Sequence, residues 1–261
     1  MTFSHERITP HIIRLSLPGN VYAYLFCGEK RALLADTGCG YDDLAGYVRS
    51  LTDLPLTVWL THGHVDHAGG ASQFAEVYMN EKDTEICRMH THKAARGVYL
   101  KANGVNADND LMADMCRETL PLRDNDEIDL GGIHVAAWEC AGHTPGSMVF
   151  CLKEERIVLL GDACNSLTYL QLDHCLSIKQ YLANLQKFRA EHYDAFDTCL
   201  YSHPHNYGGK EIIDEAVEGC EEIIAGHTGE KTKRGILAFP MDAGFRRADG
   251  KSFNCIYSRV E

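Results

Sequence analysis

Short runs of alternating apolar and polar residues dominate the first part of the chain. The runs Ile12–Leu17, Val21–Cys27 and 31–36 are rich in β-prone residues, and glycine-containing turns separate them. This pattern predicts three β-strands joined by tight turns. Residues 41–51 carry apolar side chains at helical spacing and predict a helix. The run 56–60 is nearly all apolar, which is typical of an interior strand.

The rest of the chain continues this mixture of strands and helices. Residues 81–119 are rich in charge and in helix formers, and they predict two or three short helices that form a lid-like insert. Elsewhere the pattern predicts strands at 76–79, 127–130, 134–140, Met148–Leu152, 156–160, Thr198–Tyr201 and twice within 235–260, and helices at 68–75, 177–192 and 211–225. No linker of low complexity interrupts the chain. We therefore predict a single domain, residues 1–261, built from two β-sheets with helices outside.

The composition limits the partners. The formal net charge is −12, and lysine and arginine form no cluster. Nucleic acids and anionic membranes bind basic surfaces, so we expect neither as a main partner. No apolar run approaches the roughly 18 residues of a transmembrane helix, and the polar first residues lack a signal-peptide core. We expect a cytoplasmic protein that acts on a small molecule.

The cysteines do not indicate a disulfide framework. There are eleven of them, scattered along the chain and never spaced as Cys-x-x-Cys. Such a set suits neither a disulfide-rich domain nor a four-cysteine zinc site, and most of these residues are expected to be small buried hydrophobic groups. Cys39 and Cys164 each follow a motif that we place near the functional site.

One segment carries most of the chemical information. Residues 61–67 read Thr-His-Gly-His-Val-Asp-His and follow directly on the apolar run 56–60. Neutral imidazole and carboxylate are ligands that zinc and iron prefer. In an extended stretch His62 and His64 point to the same side, whereas Asp66 and His67 lie beyond the strand end and can face a second ion. The spacing therefore favours two metal ions.

Three further ligand candidates lie at the ends of predicted strands. His143 lies in Gly142-His143-Thr144-Pro145-Gly146, a sequence that permits a tight and stiff loop. Asp162 follows the apolar strand 156–160, and His203 follows Thr198–Tyr201. Strand ends at one sheet edge are where functional groups gather in layered α/β proteins.

Taken together and in this order, these motifs resemble those of the metallo-β-lactamase superfamily, and most closely its glyoxalase II-like hydrolase branch. The resemblance spans roughly residues 8–205. It implies an α+β fold: an αββα sandwich of two mixed β-sheets flanked by helices, with the metal ions at one edge between the sheets.

The resemblance also implies a ligand set. One ion would be bound by His62, His64 and His143, and a second by Asp66, His67 and His203, with Asp162 bridging both. Asp36, in Asp36-Thr37-Gly38, would orient a ligand histidine. The last motif departs from the family pattern, because Tyr201-Ser202-His203-Pro204-His205 replaces the usual Pro-Gly-His-Gly. His205 is therefore an alternative to His203, which we prefer.

The implied cofactors are two divalent metal ions, with zinc expected and iron or manganese as alternatives. A hydroxide that bridges the two ions would attack an ester, thioester or lactone carbonyl. Asp66 and Asp162 would act as catalytic carboxylates that orient the hydroxide and take up its proton. The positive centre favours an anionic substrate. Candidate anchors for it are Lys93, Arg96, Tyr169 and Lys179, although each is more simply interpreted as solvated surface.

Other functions remain open at this point. A single iron in the first site would suit a persulfide dioxygenase, because histidine and carboxylate ligands also bind iron. A true β-lactamase, an RNA-processing nuclease and a non-catalytic binding protein are less favoured. The remaining histidines are interpreted as surface or satisfied core residues: His5, His11, His90, His92, His134, His174, His192 and His227.

Overall fold

The structure is a computed structural model that describes residues 2–107, 111–115, 117–204, 209–227, 244–246 and 253–261. The chain divides into two compact units, Met1–Ala137 and Trp138–Glu261. The single domain with a lid-like insert stays a prediction.

The first unit is built on a seven-stranded mixed sheet. In chain order and in spatial order its strands are β1 (Ser4–Arg7), β2 (Ile12–Leu17), β3 (Val21–Cys27), β4 (Ala32–Ala35), β5 (Leu56–Trp59), β6 (Val77–Met79) and β7 (Leu120–Pro121). Strands β1 to β4 pair antiparallel, whereas β4 to β7 pair parallel. All residues of β4 are apolar and buried, as in a strand that is covered on both faces. The carboxyl ends of β4 and β5 lead directly into Asp36 and the histidine motif.

The helices of the first unit are short. They are α1 (Leu44–Arg49), α2 (Val65–Ala68), α3 (Thr84–His90) and α4 (Lys93–Ala102), with 3₁₀ turns at Ala71–Gln73 and Glu81–Asp83. The helix predicted at 68–75 is therefore wrong in position. Helical structure begins at Val65 and is interrupted at Gly69 and Gly70, because glycine is a poor helix former. The short helices predicted within 81–119 are present as α3 and α4.

The hairpin of β8 (Glu127–Asp129) and β9 (His134–Glu139) ends the first unit, and β9 continues into the second. In the second unit the strands are β10 (Met148–Leu152), β11 (Ile157–Gly161), β12 (Thr168–Leu170), β13 (Thr198–Tyr201), β14 (Gly244–Arg246) and β15 (Asn254–Tyr257). Strand β11 pairs antiparallel with β10 and parallel with β13, so apolar strands surround it. Strand β15 lies between β12 and β14 in a small separate sheet. Of the range 235–260, in which two strands are predicted, residues 235–243 and 247–252 lie outside the described residues.

Among its described residues the second unit also contains two α-helices, α5 (Ile178–His192) and α6 (Glu211–Ile224), and a 3₁₀ turn at Tyr193–Ala195 follows α5. Helix α5 begins at a capping box, in which Ser177 and Gln180 exchange hydrogen bonds. Its buried residues recur every three or four positions: Ile178, Tyr181, Leu185 and Phe188. The amphipathic helix predicted at 177–192 is thus confirmed, with Ser177 as its cap. In the described ranges, no helix has both the length and the apolar character needed to cross a bilayer.

Arg96 is a buried structural residue and not a surface anchor. Its side chain is fully buried on α4. The guanidinium donates hydrogen bonds to the carbonyl oxygens of Gly40 at 3.2 Å and Met112 at 2.7 Å, and to Asp114 Oδ1 at 3.0 Å. Arginine can be buried when its terminal nitrogen atoms find acceptors and a carboxylate lies beside its charge. The interaction joins α4 to the loop that follows β4.

The substitution Arg96→Met is expected to lower the unfolding free energy of the first unit by about 2–3 kcal/mol, because it leaves buried carbonyl oxygens without their donor. Urea unfolding followed by circular dichroism measures this change. Arg88→Met is the matched control, since Arg88 is exposed on α3 and pairs only with Glu85 among the contacts described. It should change stability by less than about 0.5 kcal/mol. Equal effects of the two substitutions would contradict the structural role of Arg96.

Candidate metal centre

The first ligand group lies on the loop and short helix that follow β5. His62 and His64 are in the loop, and Asp66 and His67 are in α2. All four residues are less than one-tenth exposed. Burying so many ionisable groups together is costly unless they are paired or bind a cation.

Gly63 permits the close packing of this loop against α3. Its amide donates to Asp83 Oδ2 at 2.9 Å, and a Cβ at this position would lie 2.8 Å from the amide nitrogen of Cys87. A larger residue between the two histidines would therefore push the loop away from α3.

The Asp36 side chain orients His67 directly and His62 through Thr61. It follows β4 and adopts the left-handed conformation with φ of 67°, which aspartate tolerates better than most residues. Its carboxylate accepts hydrogen bonds from the Thr61 amide at 2.7 Å and the Thr61 hydroxyl at 2.8 Å. His67 Nδ1 lies 2.8 Å from Asp36 Oδ2. Since an ionised carboxylate only accepts, the His67 proton is on Nδ1 and the lone pair is on Nε2.

The Thr61 hydroxyl fixes the tautomer of His62 in the same way. The Thr61 hydroxyl donates to Asp36, so it accepts from His62 Nδ1, which lies 3.0 Å away. The lone pair of His62 is therefore also on Nε2. His64 is turned differently, because its Nδ1 lies 3.1 Å from His62 Nε2. The two rings thus present nitrogen atoms to the same point.

Asp66 lies next to His67 on α2. Its Oδ2 is 3.6 Å from His67 Nε2 and accepts a hydrogen bond from the Tyr99 hydroxyl at 2.7 Å. Tyr99 lies on α4, so a helix of the predicted insert contacts a candidate ligand directly.

The second unit holds the other ligand group. His143 Nδ1 donates to the backbone carbonyl of Tyr169 at 2.7 Å, which leaves the lone pair on Nε2. Asp162 follows β11, and its Oδ2 lies 3.7 Å from His143 Nε2 and 3.2 Å from His203 Nε2. The structure therefore brings all three candidates of this unit together. His205 lies outside the described residues.

Tyr181 on α5 fixes the loops that carry this second group. A Cβ at Gly142 would lie 2.1 Å from Tyr181 Cδ2, so only glycine allows the ring to pack here. The Tyr181 hydroxyl donates to the carbonyl of Ala163 at 2.7 Å. One buried ring thus supports the neighbours of both His143 and Asp162.

The donor atoms in each unit suit divalent metal ions. Two donors bound to one tetrahedral zinc ion lie about 3.3 Å apart, given metal–ligand bonds near 2.0 Å. The separations within each group fall around this value, from 3.1 Å for His62 and His64 to 3.7 Å for His143 and Asp162. Neutral imidazole nitrogen and carboxylate oxygen are also the donor types that zinc binds.

Several supporting residues did not emerge from the sequence. Thr61 could have been noticed because it adjoins His62, but Asp83, Tyr99 and the Tyr169 carbonyl carry no local signal. His90, interpreted as surface or core, has its ring stacked on His64 at a centroid distance of 5.0 Å.

The two cysteines placed near the site are not activated thiols. Cys39 and Cys164 are both buried. Burial, and then the nearby Asp66 carboxylate, raise the pKa of Cys39 well above its usual value, and burial raises the pKa of Cys164 to about 12. Neither thiol suits nucleophilic catalysis at neutral pH. The structure describes every cysteine except Cys116, and each described cysteine carries a free thiol.

Known proteins similar to this chain include enzymes of several organisms. The chain is 25% identical over 153 residues to the probable metallo-hydrolase YqgX of Bacillus subtilis, covering 56% of this chain and 66% of YqgX. It is 26% identical to the lactamase-like protein ptaB of Pestalotiopsis fici, covering 60% of this chain and 46% of ptaB. It is also 24% identical over 227 residues to the acyl-coenzyme A thioesterase MBLAC2 of Gallus gallus, covering 76% of this chain and 81% of MBLAC2. The chain thus spans between about half and two thirds of the first two relatives.

Solved structures agree on the fold. The metallo-beta-lactamase from Pontibacter korlensis matches with a TM-score of 0.62 at 16% identity, covering 84% of this chain and 99% of that protein. The sec-alkylsulfatase Pisa1 from Pseudomonas sp. matches with a TM-score of 0.62 at 13% identity, covering 85% of this chain and 41% of Pisa1. These similarities confirm the predicted α+β class and the metallo-β-lactamase fold.

The sequence profile described as "Metallo-beta-lactamase superfamily" matches residues 17–174, which are more than half of the chain and include six of the seven predicted ligands. This match and the order of the histidine and aspartate motifs confirm the predicted relationship. The chain belongs to the metallo-β-lactamase superfamily.

Proposed function

We propose that the protein is a metal-dependent hydrolase that cleaves an ester, thioester or lactone at its carbonyl carbon, with thioesters as the favoured class. The observation that carries this proposal is that three histidines are each held in the tautomer with the proton on Nδ1. Asp36, Thr61 and the Tyr169 carbonyl each hold a histidine proton on Nδ1, so that Nε2 can bind a cation. The similarity to the acyl-coenzyme A thioesterase MBLAC2 supports the choice of thioester among the carbonyl substrates.

We propose that the two ligand groups serve one binuclear centre, divided as the superfamily resemblance implies. His62, His64 and His143 would bind one ion, and Asp66, His67 and His203 the other, with Asp162 shared between them. Zinc suits this mixture of nitrogen and oxygen donors, and iron and manganese are the alternatives.

When bound, such ions act as Lewis acids toward a carbonyl oxygen and lower the pKa of water to near 7. The protein supplies fixed donors for them. Asp36 holds His67 by its Nδ1 proton and holds His62 through the Thr61 hydroxyl. Asp66 and Asp162 present acceptor-only carboxylates, each of which can take up a proton released during hydrolysis.

The expected substrate is a small anionic molecule. Two divalent ions carry twice the charge of the two carboxylates Asp66 and Asp162, so the filled centre is positive within a chain of net charge −12. A thioester with a phosphorylated or carboxylated arm fits this charge. We also propose a cytoplasmic location, which agrees with the free thiols of the described cysteines.

The zinc-loaded protein is expected to hydrolyse acyl-coenzyme A thioesters, and His64→Ala and Asp66→Ala are expected to lose at least 100-fold in kcat/KM together with bound metal. A thiol-detecting assay over an acyl-chain panel, combined with elemental analysis, measures both effects. His134→Ala is the matched control, because His134 is a half-exposed histidine on β9.

Two results would contradict this proposal. Turnover that persists after removal of metal by a strong chelator would exclude a metal-dependent reaction. Oxygen uptake with a persulfide by iron-containing protein, without thioester hydrolysis, would favour the dioxygenase alternative.

Asp162→Ala is expected to lower the metal content from two ions toward one per chain, because the shared carboxylate is lost. Elemental analysis of protein dialysed against limiting zinc gives the stoichiometry. Retention of both ions would show that Asp162 does not bridge them.

Asp36→Asn is expected to weaken zinc binding about 10–100-fold while the protein remains folded, because the amide cannot replace both acceptor oxygens beneath Thr61 and His67. Competition with a chromophoric chelator measures the affinity. Asp53→Asn, at an exposed position of the same unit, is the control and should bind zinc as the wild type does. Unchanged zinc affinity in Asp36→Asn would refute the orienting role.

A further inference from the structure

The helices α3 and α4 each contact one candidate ligand of the first unit. His90, the last residue of α3, stacks its ring on His64 with an interplanar angle of 19°. Tyr99, on α4, donates its hydroxyl proton to Asp66 Oδ2 at 2.7 Å. The second contact acts directly on a carboxylate, whose orientation decides which oxygen faces a cation.

The Tyr99 hydroxyl proton has a clear preference for Asp66. The hydroxyl oxygen also lies 3.4 Å from the carbonyl oxygen of Gly19, but it carries only one proton to donate. The contact with the carboxylate is shorter and charge-assisted, and such hydrogen bonds are about twice as strong as neutral ones. The proton therefore lies toward Asp66 Oδ2.

Tyr99 is itself held in place from several sides. Arg96 precedes it by about one helical turn and ties α4 to the loop after β4. The backbone carbonyl of Tyr99 accepts from Asn103 Nδ2 at 2.9 Å. Its ring lies so close to Gly19 that a Cβ there would be 3.1 Å from Tyr99 Cε1. The hydroxyl is thus presented by a fixed ring on a fixed helix.

We propose that Tyr99 is a positioning residue for the metal centre. Its hydroxyl prevents rotation of the Asp66 carboxylate and keeps Oδ2 beside His67 Nε2, at the observed separation of 3.6 Å. Locking a ligand in its binding orientation removes the entropic and geometric cost of arranging it when the ion arrives. The proposal rests on the metal centre proposed above and does not depend on the identity of the substrate.

Tyr99→Phe removes only the hydroxyl and is therefore the decisive variant. We expect one of the two zinc equivalents to bind about 10–100-fold more weakly, and the other to bind as in the wild type. Competition with a chromophoric chelator measures both affinities. The visible absorption of the cobalt-substituted protein reports the coordination of the affected ion, which a purely structural role for Tyr99 would leave unchanged.

Tyr22→Phe is the matched control, because the Tyr22 ring on β3 packs against the guanidinium of Arg14 on β2. A second test combines Tyr99→Phe with Asp66→Ala. If Tyr99 acts through Asp66, adding Tyr99→Phe to Asp66→Ala should cause no further loss of zinc affinity.

Three outcomes would overturn the proposal, and they point to different causes. Wild-type affinity for both zinc equivalents in Tyr99→Phe would show that the hydroxyl does not position Asp66. An additional loss in the double variant would show that Tyr99 acts elsewhere. Failure of the wild-type protein to bind zinc would remove the metal centre itself, and the proposed hydrolase function with it.

Discussion

The orientation of the histidines in the first ligand group depends on the buried carboxylate of Asp36. Several imidazoles can bind one cation together only when the nitrogen atoms that face it carry lone pairs and each proton lies on the opposite ring nitrogen. Asp36 imposes this arrangement on His67 by direct contact and on His62 through the Thr61 hydroxyl. Its left-handed backbone turns the side chain toward both partners at the end of β4. The residues around it in the first unit bury this aspartate, which is only 1% exposed.

Much of this arrangement could be predicted from the sequence, because the ligands lie in compact motifs at strand ends. The apolar strands β2, β3 and β10 were predicted with the observed bounds, since alternation and buried apolar runs reflect local packing. Helix α5 was predicted because its capping residue and its apolar spacing agree. The candidate ligands His62, His64, Asp66 and His67 are recognisable because three imidazoles and a carboxylate rarely occur so close together in a chain segment that binds no metal ion.

The failures have a common physical cause, which is that they depend on contacts between distant parts of the chain. Strand β1 is exposed and polar, so only its pairing with β2 defines it. Arg96 resembled a surface residue until Gly40, Met112 and Asp114 supplied its acceptors. Tyr99 likewise has no sequence signature, since its role arises from the placement of α4 next to α2. Local pattern therefore identifies candidate ligands more readily than it identifies the residues that contact and orient them.

The groups that accept the Nδ1 proton of the histidines differ between the two units. His67 is backed by an ionised carboxylate, whereas His143 is backed by the neutral carbonyl of Tyr169. An anionic acceptor draws the Nδ1 proton more strongly and makes the opposite nitrogen a better electron donor. The two imidazoles thus differ as electron donors toward a cation although their tautomers are the same, a difference that the ¹⁵N chemical shifts of their rings would register.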